Sequence, residues 1–241
     1  MSRSLYAAAL PIEAVIAASP RLLLVGSMED CAPCLLLKPA IRALAAAAGT
    51  ELVVVEVALE MHESLMNRFG VSSFPTLLAF RDGSFVDRHI GYAGISDLDR
   101  FEAFLSRCYP EAKSAALSVP PAARARIAEA EAALEVITTP ASEAALPQVE
   151  VANRAMEPLL AAIDADLAAG RLSKQEASQR HRDVIAAAYA PFQDKILAIR
   201  AANQEGLALY AQMTEGISES GAATHGPIVV CDIQSGVCRI G

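Results

Sequence analysis

Two cysteines separated by two residues, Cys31-Ala32-Pro33-Cys34, are the side chains in this sequence best suited to do chemistry. They lie between an apolar strand-like run, Arg21 to Gly26, and an apolar helical run from Leu35 to Ala48. A Cys-x-x-Cys pair at the start of a helix can cycle between dithiol and disulfide. The partial positive charge of a helix N-terminus favours a thiolate on the first cysteine. The spacing lets the second cysteine attack a mixed disulfide formed by the first. The pattern predicts thiol–disulfide exchange with Cys31 as nucleophile and Cys34 as resolving thiol.

Metal binding is the competing use of paired cysteines. A structural zinc site takes about four ligands. Cys231 and Cys238 would complete a four-cysteine set, but the six residues between them are a poor zinc spacing. The four histidines are scattered and make no ligand pair. No metal and no bound cofactor is expected. Cys108 falls on the inner face of a helix and reads as a buried small hydrophobe.

The elements that must position the cysteine pair follow from apolar periodicity. Leu10 to Ala18 reads as a short helix and Arg21 to Val25 as a strand. Cys31 to Ala48 carries Leu37, Ile41, Leu44 and Ala48 on one helical face, with Pro39 predicting a kink and Gly49 an end. Glu51 to Val57 is rich in β-branched residues and reads as a strand. Glu60 to Phe69 reads as a helix closed by Gly70. Thr76 to Arg81 and Phe85 to Ile90 are strands joined by Asp82-Gly83-Ser84, a hairpin signal. Asp97 to Cys108 is a helix with Leu98, Phe101 and Cys108 inward.

Beyond Tyr109-Pro110 the character changes. Arg124 to Ile137 reads as a short helix and Thr138 to Pro147 as a loop with two prolines. A long helical region follows, with Met156, Leu160, Ile163 and Leu167 as one stripe and Ile185, Tyr189, Phe192, Ile196 and Ile199 as a second. Gly170 and the capping box Ser173-Lys-Gln-Glu176 separate the two, which predicts an antiparallel helical hairpin. The sequence is expected to divide into residues 1–109 as an α/β domain, 110–122 as a linker and 123–215 as the helical region. Residues 216–226 form a flexible linker and 227–241 a strand-like tail with a β-hairpin character.

Composition bounds the function. The chain has 241 residues, of which 54% are hydrophobic, enough for one large or two small cores, though much of that is alanine. A net charge of −8 argues against a general nucleic-acid binder. No run approaches the roughly 18–20 apolar residues that cross a bilayer. Met1 to Ser19 is interrupted by Pro11 and Glu13, so it reads as a first helix rather than a signal peptide, and a cytoplasmic protein is expected.

Four features in this order resemble the thioredoxin family over Leu10 to Cys108, about two-fifths of the chain. They are Cys31-x-x-Cys34 after a strand, Pro39 five residues after the second cysteine, Phe74-Pro75-Thr76 entering a strand, and the pair Gly83 and Gly91. The resemblance implies a central mixed sheet flanked by helices, with Pro75 in the cis form beside the cysteines. There it would leave the backbone of Ser73 and Phe74 open to an extended substrate strand, next to Ala32 and Pro33. It implies protein disulfide substrates and electrons from a separate reductase.

The sequence departs from that pattern at three places. Glu29 and Asp30 precede Cys31 where the family has tryptophan next to the cysteine, and their charges oppose a thiolate. Val25 stands where the family has a buried aspartate that helps move the resolving cysteine's proton. Glu56 stands at the family's usual lysine position. It is a candidate proton acceptor from the other side, or a strand-end carboxylate in solvent; the sequence leaves both open.

A turn at Gln234-Ser235 would set Cys231 opposite Cys238 as a cross-strand disulfide. The eleven-residue linker reaches up to roughly 35 Å. The tail is expected to enter the active-site groove, pair near Pro75 and present Cys231 or Cys238 to Cys31. The alternative is a hairpin added to a sheet edge. The function expected is a protein thiol–disulfide oxidoreductase modulated by this tail. The alternative is a non-enzymatic adaptor that uses the domain and helical hairpin as a scaffold. For the helical region a homodimer contact or a protein partner is expected, with no nucleic acid and no membrane.

Overall fold

The continuous apolar run at Arg21–Ser27 forms strand β1, and its interior residues are all buried because both faces are covered. Leu23 and Val25 join a core cluster on one side of the sheet with the following helix, while Leu22 and Leu24 join a second cluster on the other. This period-2 division explains why the run shows no polar alternation. The computed structural model describes residues 12–28, 31–58, 67–217, 228–231 and 238–240. The chain divides into two units, Met1–Glu131 with Tyr210–Gly241, and Ala132–Leu209.

In the first unit, helix α1 (Ile12–Ala18) buries Ile12, Val15 and Ile16 against Leu22 and Leu24. Helix α2 (Ala32–Ala48) buries Leu37, Ile41, Leu44 and Ala48, as the stripe predicts, with Pro39 inside it and Gly49 at φ +55° closing it. Strands β2 (Val53–Ala58), β3 (Thr76–Arg81) and β4 (Ser84–Ile90) follow. Asp82 and Gly83 both have positive φ, the backbone of a two-residue hairpin turn matched to strand twist. Helix α3 (Leu98–Cys108) buries Leu98, Phe101, Phe104, Leu105 and Cys108 in the cluster that holds α2. Ala116, Leu117 and Val119 beyond α3 belong to that cluster too.

The tail extends the sheet. Strands β5 (Ile228–Cys231) and β6 (Cys238–Ile240) give the order β4-β3-β1-β2-β5-β6. β1, β2 and β5 are parallel neighbours, while β3, β4 and β6 pair antiparallel to theirs. Contrary to expectation, the tail strand β5 pairs with β2 and not near Pro75. β3 is flanked by β1 and β4, so neither of its edges is free. The outer edge of β2 is where a further strand can satisfy unpaired backbone groups.

The expected loop at Thr138 to Pro147 is absent, because α4 runs unbroken from Pro121 to Ala168 with Pro140, Pro147 and Pro158 inside it. Each proline removes one backbone hydrogen bond, but the intervening alanine- and glutamate-rich turns keep strong helix propensity. In the second unit, α4 turns at Gly170 into α5 (Lys174–Tyr189), whose start is fixed by the expected Ser173–Glu176 capping box. His181 Nε2 lies 3.1 Å from Asp164 and the Tyr189 hydroxyl lies 3.0 Å from Asn153 Oδ1. Those pairings rise on one helix as they fall on the other, so α4 and α5 are antiparallel. A 3-10 turn at Ala190–Phe192, containing Pro191, leads into α6 (Gln193–Thr214).

Candidate active site

β1 delivers the chain to the cysteine pair at the C-terminal edge of the parallel strands. Cys31 is the N-cap of α2, in extended backbone, and its Sγ accepts the backbone N–H of Cys34 at 3.2 Å. A donor aimed at that sulfur, together with the helix dipole, lowers the free energy of negative charge on Cys31. Pro33 lies in the first turn, where the missing N–H has no intrahelical partner to lose. Cys31 and Cys34 are joined as a disulfide, with Cys31 only 8% exposed. Ala32 and Pro33 are exposed beside it.

The Phe74–Pro75 peptide is cis. Two bonds brace this turn: Thr76 Oγ1 donates to the Ser73 carbonyl at 2.5 Å, and the Gly91 N–H donates to the Pro75 carbonyl at 2.8 Å. Gly91 has φ +81°, a conformation that favours glycine, which gives the second glycine of the motif its physical reason. Pro75 is buried, Phe74 half-buried and Ser73 exposed.

Behind the disulfide is a cavity of about 210 Å³ lined by Val25, Cys31, Cys34, Lys38, Glu56 and Pro75, among others. Val25 and Glu56 are direct register partners on β1 and β2, which sets both at one level of the sheet. Glu56 is half-buried. Glu56 thus lines the same cavity as both cysteines. Lys38 escaped the sequence reading; its signal was the four-residue interval from Cys34, which puts both on one face of α2. Met28 and Leu35, also lining the cavity, are exposed apolar side chains at its mouth.

The remaining site candidates lie elsewhere. Glu29 and Asp30 are outside the described residues. Cys108 is buried in the α3 core, and burial pushes its thiol up to about 11, so it is held as an unreactive thiol. Cys231 and Cys238 are direct partners across β5 and β6. Among the described residues no group of three or more His, Cys, Asp or Glu is arranged to hold a metal ion. Among the same residues no helix is long and apolar enough to cross a membrane.

A family model described as Thioredoxin matches residues 12–107. The mitochondrial thioredoxin of Mus musculus is 35% identical over 77 residues, 32% of this chain and 45% of that protein. The thioredoxin of Chlamydia muridarum is 34% identical over 79 residues, 33% of this chain and 74% of that protein. A solved thioredoxin from Plasmodium falciparum is 21% identical, covers 37% of this chain and 85% of its own, and has a TM-score of 0.34. The chain thus spans 45% of the length of the mammalian mitochondrial thioredoxins it matches.

Proposed function

From the premise that this chain belongs to the thioredoxin family, we propose that it is a thiol–disulfide oxidoreductase acting on protein disulfides. The observation that carries this reading is the Cys31–Cys34 disulfide at the start of α2, with the Cys34 N–H on Cys31 Sγ and Glu56 in the wall of the same cavity. In the reduced protein the Cys31 thiolate attacks a substrate disulfide, forms a mixed disulfide and releases one substrate thiolate. The Cys34 thiol gives its proton to Glu56, and the resulting thiolate attacks Cys31 Sγ. The second substrate thiolate leaves and takes up a proton, leaving the Cys31–Cys34 disulfide.

Ala32, Pro33, Ser73, Phe74 and Pro75 form the substrate-facing surface in this reading. An extended segment lies along the backbone of Ser73 and Phe74. No bound cofactor takes part; a separate reductase returns the two electrons, and the compartment is the cytoplasm. Residues 1–109 carry the chemistry and the helical region of 123–215 supplies a contact for a second copy or a protein partner.

A second reading is a non-enzymatic adaptor. It is favoured by the exposed apolar side chains of Val136, Leu146, Val151, Leu159 and Leu197 on the helices of the second unit. Dithiothreitol-driven insulin reduction separates the two. The oxidoreductase reading expects turnover by the parent and background rates from Cys31→Ser. Background rates from the parent would sink it.

A further inference from the structure

The topology brings a second cysteine pair to the sheet edge that carries Cys31 and Cys34. β1, β2 and β5 are parallel, so their C-terminal ends share one edge of the sheet. Cys31 follows the end of β1, and Cys231 is the last residue of β5. Glu56 on β2 is in register with Val25 on one side and with Val230 on the other. Val230 is the β5 residue level with Glu56, and Cys231 follows it at the end of the strand, toward the same end of the sheet as Cys31. Two strand spacings separate β1 from β5, roughly 10 Å.

Cys231 and Cys238 are also matched to one another. They are direct partners in the antiparallel β5–β6 pair. Directly opposed residues in such a pair have Cα atoms about 4.5 or 5.5 Å apart, within the range a disulfide spans without moving the backbone. Cys108, the fifth cysteine, is buried in the α3 core and is not available to either pair.

We propose that Cys231 and Cys238 form a second redox-active disulfide, which exchanges electrons with Cys31 and Cys34 within one chain. The proposal rests on the oxidoreductase reading, since it needs Cys31 to act as a nucleophile. The step balances without an outside reagent. The Cys31 thiolate attacks one sulfur of the tail disulfide, so a Cys31–tail bond forms, the tail S–S bond breaks and the other tail sulfur leaves as a thiolate. The Cys34 thiolate then attacks Cys31 Sγ and expels the second tail sulfur. Two electrons pass from the active-site dithiol to the tail, and the two protons lost by Cys31 and Cys34 end on Cys231 and Cys238. In reverse, the tail dithiol reduces the Cys31–Cys34 disulfide. The tail thus acts as an electron store beside the site.

The test uses the full chain, equilibrated in a glutathione buffer, quenched in acid, alkylated unfolded and mapped by peptide mass spectrometry. Under oxidising buffer the parent should carry Cys31–Cys34 and Cys231–Cys238 bonds, with Cys108 as its one free thiol. Cys34→Ser, which cannot resolve the mixed disulfide, should yield Cys31 bonded to Cys231 or Cys238, in a fraction unchanged by 100-fold dilution (on the order of an intrachain bond's independence of concentration). Recovery of the tail as two thiols in the oxidised parent overturns the proposal. So does a Cys31–tail bond that disappears on dilution. Insulin offered to the same Cys34→Ser chain separates the two readings. Capture of insulin on Cys31 without any Cys31–tail bond overturns the relay and leaves the oxidoreductase standing. Capture of neither overturns both.

Discussion

The hydroxyl of Tyr210, near the end of α6, donates to the carbonyl oxygen of Leu36 in the active-site helix at 2.7 Å. The two residues are 174 positions apart in sequence, and Tyr210 is 1% exposed. Burial pushes the Tyr210 hydroxyl up, which favours its protonated, donating form. Arg126 fastens the same helix end, donating to the carbonyls of Met213 and Glu215 at 2.6 and 2.7 Å. The stretch from Tyr210 is thereby tied to the helix that presents Cys34.

Tyr210→Phe removes one buried donor and keeps the ring. The expected loss is about 1–2 kcal/mol of folding free energy, read as a lower urea midpoint with the slope unchanged. Tyr210→Ala also opens a cavity and should lose roughly 3–5 kcal/mol. Equal midpoints for the parent and Tyr210→Phe would show that the bond contributes nothing net.

Glu56→Gln tests the proton acceptor. Attack by Cys31 does not need Glu56, so the first mixed disulfide should form at the parental rate. Resolution by Cys34 should slow by roughly 100-fold, the lower end of what a positioned general base contributes. Rapid-quench mapping should find the mixed disulfide accumulating in Glu56→Gln and absent from the parent. Parental resolution rates in the variant would remove Glu56 from the mechanism.

His89 gives the fold an acid limb. It is buried against Phe101 and Phe104, and burial first, then the Arg100 charge, hold its pKa below 6.5. Arg107 acts in the same direction, while Asp97 and a backbone bond at Gly91 oppose it. An unfolded chain takes up the proton at 6.5, and the folded chain does so only at lower pH. Between those values the unfolded state binds more protons, so stability rises with pH. His89 therefore contributes stability that is present above 6.5 and is lost as pH falls toward its folded pKa. His89→Leu should flatten that limb by up to about 1.4 kcal/mol per pH unit. Urea midpoints measured from pH 7 down to pH 5 check the slope, and identical slopes would contradict it.

Cys108 should resist alkylation in the folded, reduced chain. Its thiol is raised to about 11 by burial first and by the Asp87 charge next. At neutral pH it should react with iodoacetamide at least about 100-fold more slowly than Cys31. Unfolding in urea should remove the difference. Timed labelling with peptide mapping reads both rates, and comparable labelling of Cys108 in the folded chain would contradict its burial.

Much of the first unit was legible in the sequence because its signals are local. The β1 run, the α2 stripe, the Asp82-Gly83 turn and the inward face of α3 each follow from neighbouring residues. The α4 prolines misled because proline's local preference to break a helix was outweighed by the helix-favouring turns on both sides of it. The docking edge of the tail was not legible, because strand order depends on which edges other strands leave open. Matching Cys231 to Cys238 needed only a turn between them. Lys38 went unnoticed because an exposed lysine on a helix usually marks a solvated face, and only the cavity places it beside Cys34 and Glu56.

The central claim is that Cys31 and Cys34 carry electrons to protein disulfides. Its most direct test mixes fully reduced chain with insulin in the absence of any other reductant, quenches in acid and maps every cysteine over time. Cys31–Cys34 disulfide should appear in step with insulin thiols, and neither should appear with Cys31→Ser. Insulin left intact while Cys31 and Cys34 remain thiols would contradict it.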